Sequence, residues 1–425
     1  MKMSNLQGKK LLLLGGVQPA CEIVKEAHNM GVTVYVTDYL EDSPAKKYAD
    51  KSFMVNATDA DAVAQLCSDE KIDGLITGYV DLLLPYAEKI CRKCGFPFWG
   101  NAENIDMSID KYKFKFACEK SDVPVVPWRM VTRENYHEAD GIEFPVVIKP
   151  VDNSGSRGVF KCYRAEDFED CCEKAFAFSK IGKLLVEKLM DAHKEFSVYY
   201  ILSKGEALLT GMGDRYVNIV DDGIAPEGQG MCFPSVHLGE WIENCHPKIT
   251  RFFRENGMNE GFVFLQGFYD EGSFYIHEIG YRLNGGFSYK LVEHFSGYNQ
   301  IQELIRFSLT GSMDFDNIHK SDPYFDGKGF ILTLSLCPGE IASISGVDKA
   351  SKTDGVVGFY QLHSVGDKLM SKGTTAQVFA YVLCAAKNKA DLERIINDVK
   401  DAVRVNDTCG NSMLRFLIDP DRIVC

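Results

Sequence analysis

Over the first hundred residues, apolar positions fall in short unbroken runs, each followed by a segment whose apolar residues recur every three or four positions. "KLLLL" (10–14), "VTVYVTD" (32–38) and "IDGLITG" (72–78) are runs of the kind expected of strands buried on both faces. Between the first two, "PACEIVKEAHNMG" sets Ile23, Val24 and Ala27 on one face of a helix that stops at Gly31. The third run leads into a second helical pattern, "LLLPYAEKICRKCG". Strands alternating with helices predict parallel βαβ units in an open sheet. Ligands of such sheets sit at the carboxyl ends of the strands, here near Gly15, Gly16, Thr37, Asp38 and Gly78.

The texture changes near residue 110. "DKYKFKFACEKSDVPVVPW" reads as a lysine-rich helix and a proline-marked turn. Short strands follow: "FPVVIKP", "RGVFKCY", "KLLVEKLM", "KEFSVYYIL" and "EALLTGMGDRY". "FVFLQGFYDEGSF" and "YIHEIGYRLNGG" read as a hairpin turning at "YDEGS". From about 325 the strands are "GFILTLSL", "GVVGFYQL" and "TAQVFAYVLCAA", with the helix "KADLERIINDVKDAV" after them. No internal repeat or low-complexity linker marks a sharp boundary.

A chain of 425 residues has room for two to four domains. Its formal net charge of −13 supplies no basic field for a nucleic-acid backbone, although local lysines and backbone amides can still hold a nucleotide. The lysines ahead of Leu11–Leu14 have the crude shape of an export signal, but the leucine run falls short of the roughly 7–15 apolar residues such a signal needs, and of the about 20 of a membrane span. The expectation is a cytoplasmic protein with no membrane partner, whose scattered cysteines are reduced. "CRKC" (Cys91, Cys94) reads as packing, with metal binding or redox chemistry as the alternative.

The first turn, "GGVQPAC", lacks the G-x-G-x-x-G fingerprint, and Pro19 stands where a phosphate-facing helix would begin. Asp38 does sit where a ribose-binding acid would be, which keeps an NAD- or FAD-dependent enzyme as an alternative. More chemistry lies downstream. In "PVVIKPVDNSGSRGV" an apolar strand ends in Lys149, and a Ser/Gly loop carrying Arg157 follows. Such a loop can turn amides toward phosphate oxygens, and is equally compatible with a hairpin turn and an exposed lysine. Glu187 and Glu195 stand at the end and start of two strands, where a connector can offer backbone groups to a base and a carboxylate to a ribose; solvated strand ends are the plainer alternative. Gln266 and Glu278 lie on successive strands of the hairpin, and oxygen donors of this kind suit Mg²⁺. Arg282 lies beyond Glu278 on the same alternation, able to clamp a phosphoryl group. His277 alternates away from Glu278, toward the far face.

Taken together, these pieces resemble the ATP-grasp superfamily of carboxylate ligases over roughly residues 10 to 310. The order carries the likeness: "DKYKFK", "VVIKP", a Gly/Ser loop, "VEKLM", "KEFSV", then Gln266 and Glu278. "FLQGF" resembles the carbamoyl-phosphate synthetase branch. "FPFWGNAENIDMSIDKYKFK" resembles the branch of biotin carboxylase and the glycinamide ribonucleotide synthetases. More faintly, "SISGVD" and "VGDKL" resemble the closing domain of ligases acting on amino acids. The resemblance implies an α/β and α+β architecture: a Rossmann-like pre-ATP-grasp domain (1–108), a nucleotide-binding region (109–315, with a mobile lid over about 120–188) and a C-terminal α+β domain (316–425).

It also implies roles. Lys111 and Lys149 would contact the phosphates, and Ser154, Gly155, Ser156, Arg157 and Gly158 would form the covering loop. Glu187, Lys188 and Leu189 would form the adenine connector, and Glu195 would bind ribose. Gln266 and Glu278 would bind Mg²⁺, with Mn²⁺ as an alternative ion. Arg282 would steady the acyl phosphate. Asp214, Arg215, His237, Gly285 and Gly286 are the expected substrate contacts, for a small carboxylate and an amine. Relatives are commonly dimers, so a homodimer is compatible. The family pattern E-x-N-x-R is broken here by Gly280. That leaves Asn284 as a substitute metal ligand, or a catalytically decayed ATP-binding protein as an alternative to a working ligase.

Overall fold

The computed structural model describes residues 6–152, 158–219, 226–314, 321–370, 375–415 and 417–424. The N-terminal unit contains β1 (Lys10–Leu14), α1 (Cys21–Asn29), β2 (Thr33–Thr37), β3 (Lys51–Phe53), α2 (Ala60–Glu70), β4 (Gly74–Thr77) and α3 (Leu84–Cys94). Its strands form a parallel sheet in the order β3-β2-β1-β4. Leu11 to Leu14 are buried on both faces, as an unbroken apolar run in a covered parallel sheet must be. Cys91 packs in the core shared with α2, so the "CRKC" segment contributes packing there.

Two short helices, α4 (Ala102–Ile109) and α5 (Lys111–Lys120), lead out of this unit. Asn101 caps the first with a reciprocal box, and Asp110 caps the second by accepting from Tyr112 and Lys113 amides. A small antiparallel sheet follows, built from β5 (Trp128–Thr132), β6 (Val146–Pro150), β7 (Phe160–Cys162) and β8 (Lys183–Lys188) in the order β5-β8-β6-β7. The helix α6 (Phe168–Phe176) closes its own core.

The large sheet takes β9 (Glu195–Ser203), β10 (Glu206–Asn218), β11 (Glu227–Phe233), β12 (Gly261–Asp270), β13 (Ser273–Gly280) and β14 (Lys328–Leu336). Helices α7 (Leu238–Asn244), α8 (His246–Glu255) and α9 (Ser288–Ser296) pack against it, while α10 (Gln300–Thr310) lies on the N-terminal unit. The C-terminal segment adds β15 (Gly339–Ser345), α11 (Val347–Ser351), β16 (Val356–Gln361), β17 (Lys368–Leu369), β18 (Val378–Ala386), α12 (Lys389–Ala402), β19 (Arg404–Asp407) and β20 (Leu414–Arg415). The strand order is β13-β12-β9-β10-β11-β14-β18-β16, with β20 beside β14 and β17-β15-β19 as a separate sheet. The hairpin β12–β13 turns at Glu271 and Gly272, both with positive φ, the geometry of a tight two-residue turn. Among the described residues no helix is long and apolar enough to cross a membrane.

The units interlock. α10 lies across β4 so closely that a Cβ on Gly74 would sit 2.3 Å from the Ser308 carbonyl oxygen. That oxygen belongs to helix backbone and cannot swing aside. Gly74→Val should therefore lower stability by about 2 kcal/mol or more through overpacking, read as a fall in apparent Tm on thermal denaturation.

Candidate functional site

The site is built on one face of the large sheet and on the three elements packed against it. Lys111 and Lys115 are four residues apart on α5, hence on one side of the helix. Lys115 is fully buried; its Nζ lies 2.8 Å from Glu187 Oε1 and donates to the Val126 carbonyl. Lys149, on β6, reaches the other oxygen of the same carboxylate at 2.6 Å. Val147 stands opposite Glu187 in the ladder, so Lys149, two residues on, shares its face. Burial raises the Glu187 pKa, but Lys149 and Lys115 outweigh it and hold the group at about 2. Burial lowers the Lys111 pKa, opposed chiefly by Glu278.

Gln266 and Glu278 stand directly opposite each other across β12 and β13. The Gln266 Nε2 lies 3.5 Å from both Glu195 Oε1 and Ser197 Oγ, which leaves its carboxamide oxygen as the available donor atom. Beyond this pair the register shifts, because Gly267 faces Ile276 and His277 has no partner of its own. This bulge overturns the expected alternation. His277 is on the same side as Glu278, with Nε2 4.0 Å from Glu195 Oε1 and its ring stacked on Phe268 at 5.0 Å. Burial, reinforced by Lys149, pushes its pKa down to about 3, so the imidazole is neutral at pH 7.

Glu195 is buried, and Arg215 Nη1 donates to both of its oxygens at 2.7 Å. Arg215 thus holds a neighbouring acid, where a contact with substrate was expected. Asp214 points the other way. It accepts from Ser235 Oγ at 2.6 Å and the Val236 amide at 2.9 Å, and His237 stacks on Tyr269 at 3.7 Å. These two therefore fasten a turn on the far side of β10 and do not join Arg215. The Lys188 and Leu189 amides donate to the carbonyls of Pro127 and Pro145, so a base held by this connector would use other backbone groups.

Arg282 donates from Nε to Asp81 Oδ1 at 2.7 Å, from Nη2 to Asp81 Oδ2 at 2.5 Å and from Nη1 to the Leu283 carbonyl at 2.9 Å. Its guanidinium carbon is 5.1 Å from the Phe264 ring centroid. Phe264 also explains Gly280: a Cβ there would lie 2.1 Å from the ring. The space that a side chain at 280 would take is filled from the opposite strand. Asn284 accepts from the Gly286 amide at 2.6 Å, so its carboxamide oxygen, considered above for a metal, closes the "NGG" turn. Gly285 sits 3.9 Å, by its notional Cβ, from Tyr79 of the N-terminal unit. Gly158 has positive φ and a Cβ on it would meet Phe178 at 2.5 Å, so glycine is required there; Ser154, Gly155, Ser156 and Arg157 lie outside the described residues. At the dinucleotide-like turn, Asp38 accepts from the Gly16 and Leu40 amides at 2.7 and 2.9 Å, a turn-closing role where a ribose contact was considered.

Sequence reasoning missed Lys115, Asp81, His277 and Phe264. The Lys111–Lys115 spacing could have flagged the first. Nothing local marks the bulge or the pairing of Asp81 with a residue two hundred positions away. Among the described residues no three His, Cys, Asp or Glu side chains form a ready-made metal centre. Gln266 and Glu278 instead offer the sparse oxygen set that suits Mg²⁺ completed by water and phosphate oxygens. A separate cavity of about 450 Å³, lined by His294, Asp354, Lys387, Asp391 and Arg394 among others, contains none of these residues.

Residues 110–209 match the family model described as carbamoyl-phosphate synthase L chain, ATP binding domain, and residues 332–407 match L-amino acid ligase C-terminal domain 2. The chain is similar to formate-dependent phosphoribosylglycinamide formyltransferase of Bacillus velezensis, 28% identical over 204 residues, covering 45% of this chain and 51% of the relative. The Bacillus subtilis protein is 25% identical over 256 residues, covering 57% and 59%. The chain spans about half the length of the curated relatives it matches. The L-amino acid ligase from Bacillus licheniformis superposes with a TM-score of 0.78 at 16% identity, covering 95% of this chain and 99% of that one. Phosphoribosylglycinamide synthetase from Anaerococcus prevotii gives 0.76 at 18%, covering 94% and 100%. The biotin carboxylase domain of Hydrogenobacter thermophilus 2-oxoglutarate carboxylase, solved with MgADP and bicarbonate, gives 0.77 at 18%, covering 96% and 91%.

Glu187 carries a pH signature. Its pKa is lower in the folded chain than its ordinary value of 4.5, so the stability it contributes is complete above pH 4.5 and is lost as pH falls toward 2. In Lys115→Met one of its two cations is gone. The loss should then begin at higher pH, and the apparent Tm at pH 7 should fall, by roughly 3 kcal/mol of stability for a broken buried pair. Thermal melts at a series of pH values test both.

Proposed function

We propose that this chain, whose fold is that of the ATP-grasp superfamily, is an ATP- and Mg²⁺-dependent ligase that activates a small carboxylate as an acylphosphate and joins it to an amine. One observation carries the reading. Gln266 and Glu278 face each other across β12 and β13, and the charges of Glu278, Lys149 and Asp81, which is the partner of Arg282, all act on Lys111 of α5. Two ammonium groups, an oxygen-donor pair and a guanidinium make a site for a polyphosphate and its metal.

A carboxylate is a poor electrophile at neutral pH, and phosphorylation gives it a good leaving group. Its oxygen attacks the γ-phosphorus of ATP, ADP departs, and the amine nitrogen then attacks the acyl carbon as phosphate leaves with the C–O bond electrons. Lys111 and Lys149 neutralise phosphate charge and fix the chain of phosphates in line. Gln266 and Glu278 would hold Mg²⁺, or Mn²⁺ in its place, which supplies charge neutralisation on the transferring phosphoryl group. Arg282 stabilises negative charge that develops there. Glu195, fixed by Arg215, faces the ribose. Exclusion of water protects the acylphosphate until the amine attacks.

We assign 1–108 as the Rossmann-like pre-ATP-grasp domain, 109–315 as the nucleotide region and 316–425 as the closing domain. The likeness of residues 332–407 to an L-amino acid ligase domain favours an amino acid among the substrates.

An ADP-release screen with Mg·ATP against amino acids and small carboxylates, singly and in pairs, should find ADP formed only with a matched pair. With that pair, Lys149→Ala and Glu278→Ala should each reduce turnover by about a hundredfold or more while circular dichroism stays that of a folded chain. Near-normal turnover in both variants defeats the reading.

A further inference from the structure

Asp81 belongs to the N-terminal unit, four residues past the end of β4, at the edge where a parallel sheet presents its ligands. Its carboxylate faces the guanidinium of Arg282. The contact is bidentate, through Nε and Nη2, the side-on fork of an arginine. The Leu283 carbonyl takes one Nη1 proton, and the Phe264 ring lies against the planar face. A guanidinium has five N–H donors. Three are committed, and one remains on each terminal nitrogen. The plane is therefore fixed, and one N–H on Nη1 and one on Nη2 remain for the oxygens of an anion.

We propose that Asp81 is the positioning residue of Arg282: it holds the guanidinium side-on so that its remaining N–H donors face the phosphoryl group in transfer, coupling the N-terminal unit to the reacting centre. This rests on the ligase reading above. A lysine could not substitute, because one ammonium cannot satisfy Asp81 side-on and present two further donors elsewhere. The Arg282 side chain is 12% exposed and that of Asp81 35%.

The test uses the full chain, with Mg·ADP as one probe and Mg·ADP plus aluminium fluoride, a phosphoryl mimic, as the other. By isothermal titration, aluminium fluoride should tighten ADP binding by about tenfold or more in the unaltered chain. In Asp81→Asn that increment should shrink to about twofold or less while Mg·ADP alone stays within about threefold, and Asp81→Glu should recover part of it. Asp81→Asn combined with Arg282→Lys should lose no more than Arg282→Lys alone, since both act through one guanidinium. A full increment in Asp81→Asn overturns the proposal. So does a loss of Mg·ADP binding as large as the loss of the increment, which is the mark of a merely structural ion pair. Absence of any Mg·ADP binding in the unaltered chain overturns the ligase reading and this proposal with it.

Discussion

The carboxylate of Glu187, buried between two lysines, is the contact on which the site depends. Its oxygens hold Lys115 of α5 and Lys149 of β6 at 2.8 and 2.6 Å. Lys115 in turn donates to Val126, and the segment around Val126 docks on β13, through the Val126 amide to the Ile276 carbonyl and the Ile276 amide to the Pro124 carbonyl. One acid therefore ties together the α5 helix, the small sheet and the strand that carries Glu278. Net stabilisation from a buried ion triad is modest, because desolvation cancels much of the attraction, while loss of one member is costly. What the triad supplies is geometry: two ammonium groups held in fixed positions between α5 and β6.

A second constraint is the bulge at His277. Without it, β13 would present Glu278 to the site and His277 to the opposite core. With it, both lie on one face, and His277 lies between Glu195 and the lysine cluster as a neutral ring. The bulge also adjoins Ile276, where the segment leading to the small sheet is anchored. Re-aiming a side chain at the edge of a functional face is a common use of such irregularities.

Phe264 and Gly280 are one packing unit seen from two strands. The ring fills the space above the glycine and forms the platform for Arg282. The glycine that breaks the family pattern therefore does not leave a hole. Its neighbour across the ladder gives the guanidinium an apolar floor, while Asp81 and the Leu283 carbonyl set its orientation.

Local pattern was enough to reveal the parallel strands, the hairpin of β12 and β13, and the chemical types that make the site, because apolar periodicity and turn chemistry act over a few residues. Lys149, Glu187, Gln266, Glu278 and Arg282 were legible as charged or polar ends of apolar strands. Partner choice was not. Arg215 could have met solvent or substrate and instead holds Glu195; Asp214 and His237 secure a turn; Asn284 and Asp38 close turns of their own. Lys115 looked like one lysine among several on a surface helix and is wholly buried. The amino-acid order by itself determined which side chains stand at strand ends and on which nominal face. Tertiary structure alone decided which opposite charges meet, because those contacts join residues tens to hundreds of positions apart and depend on how sheets and helices pack, and a single extra residue in one strand was enough to reverse a face.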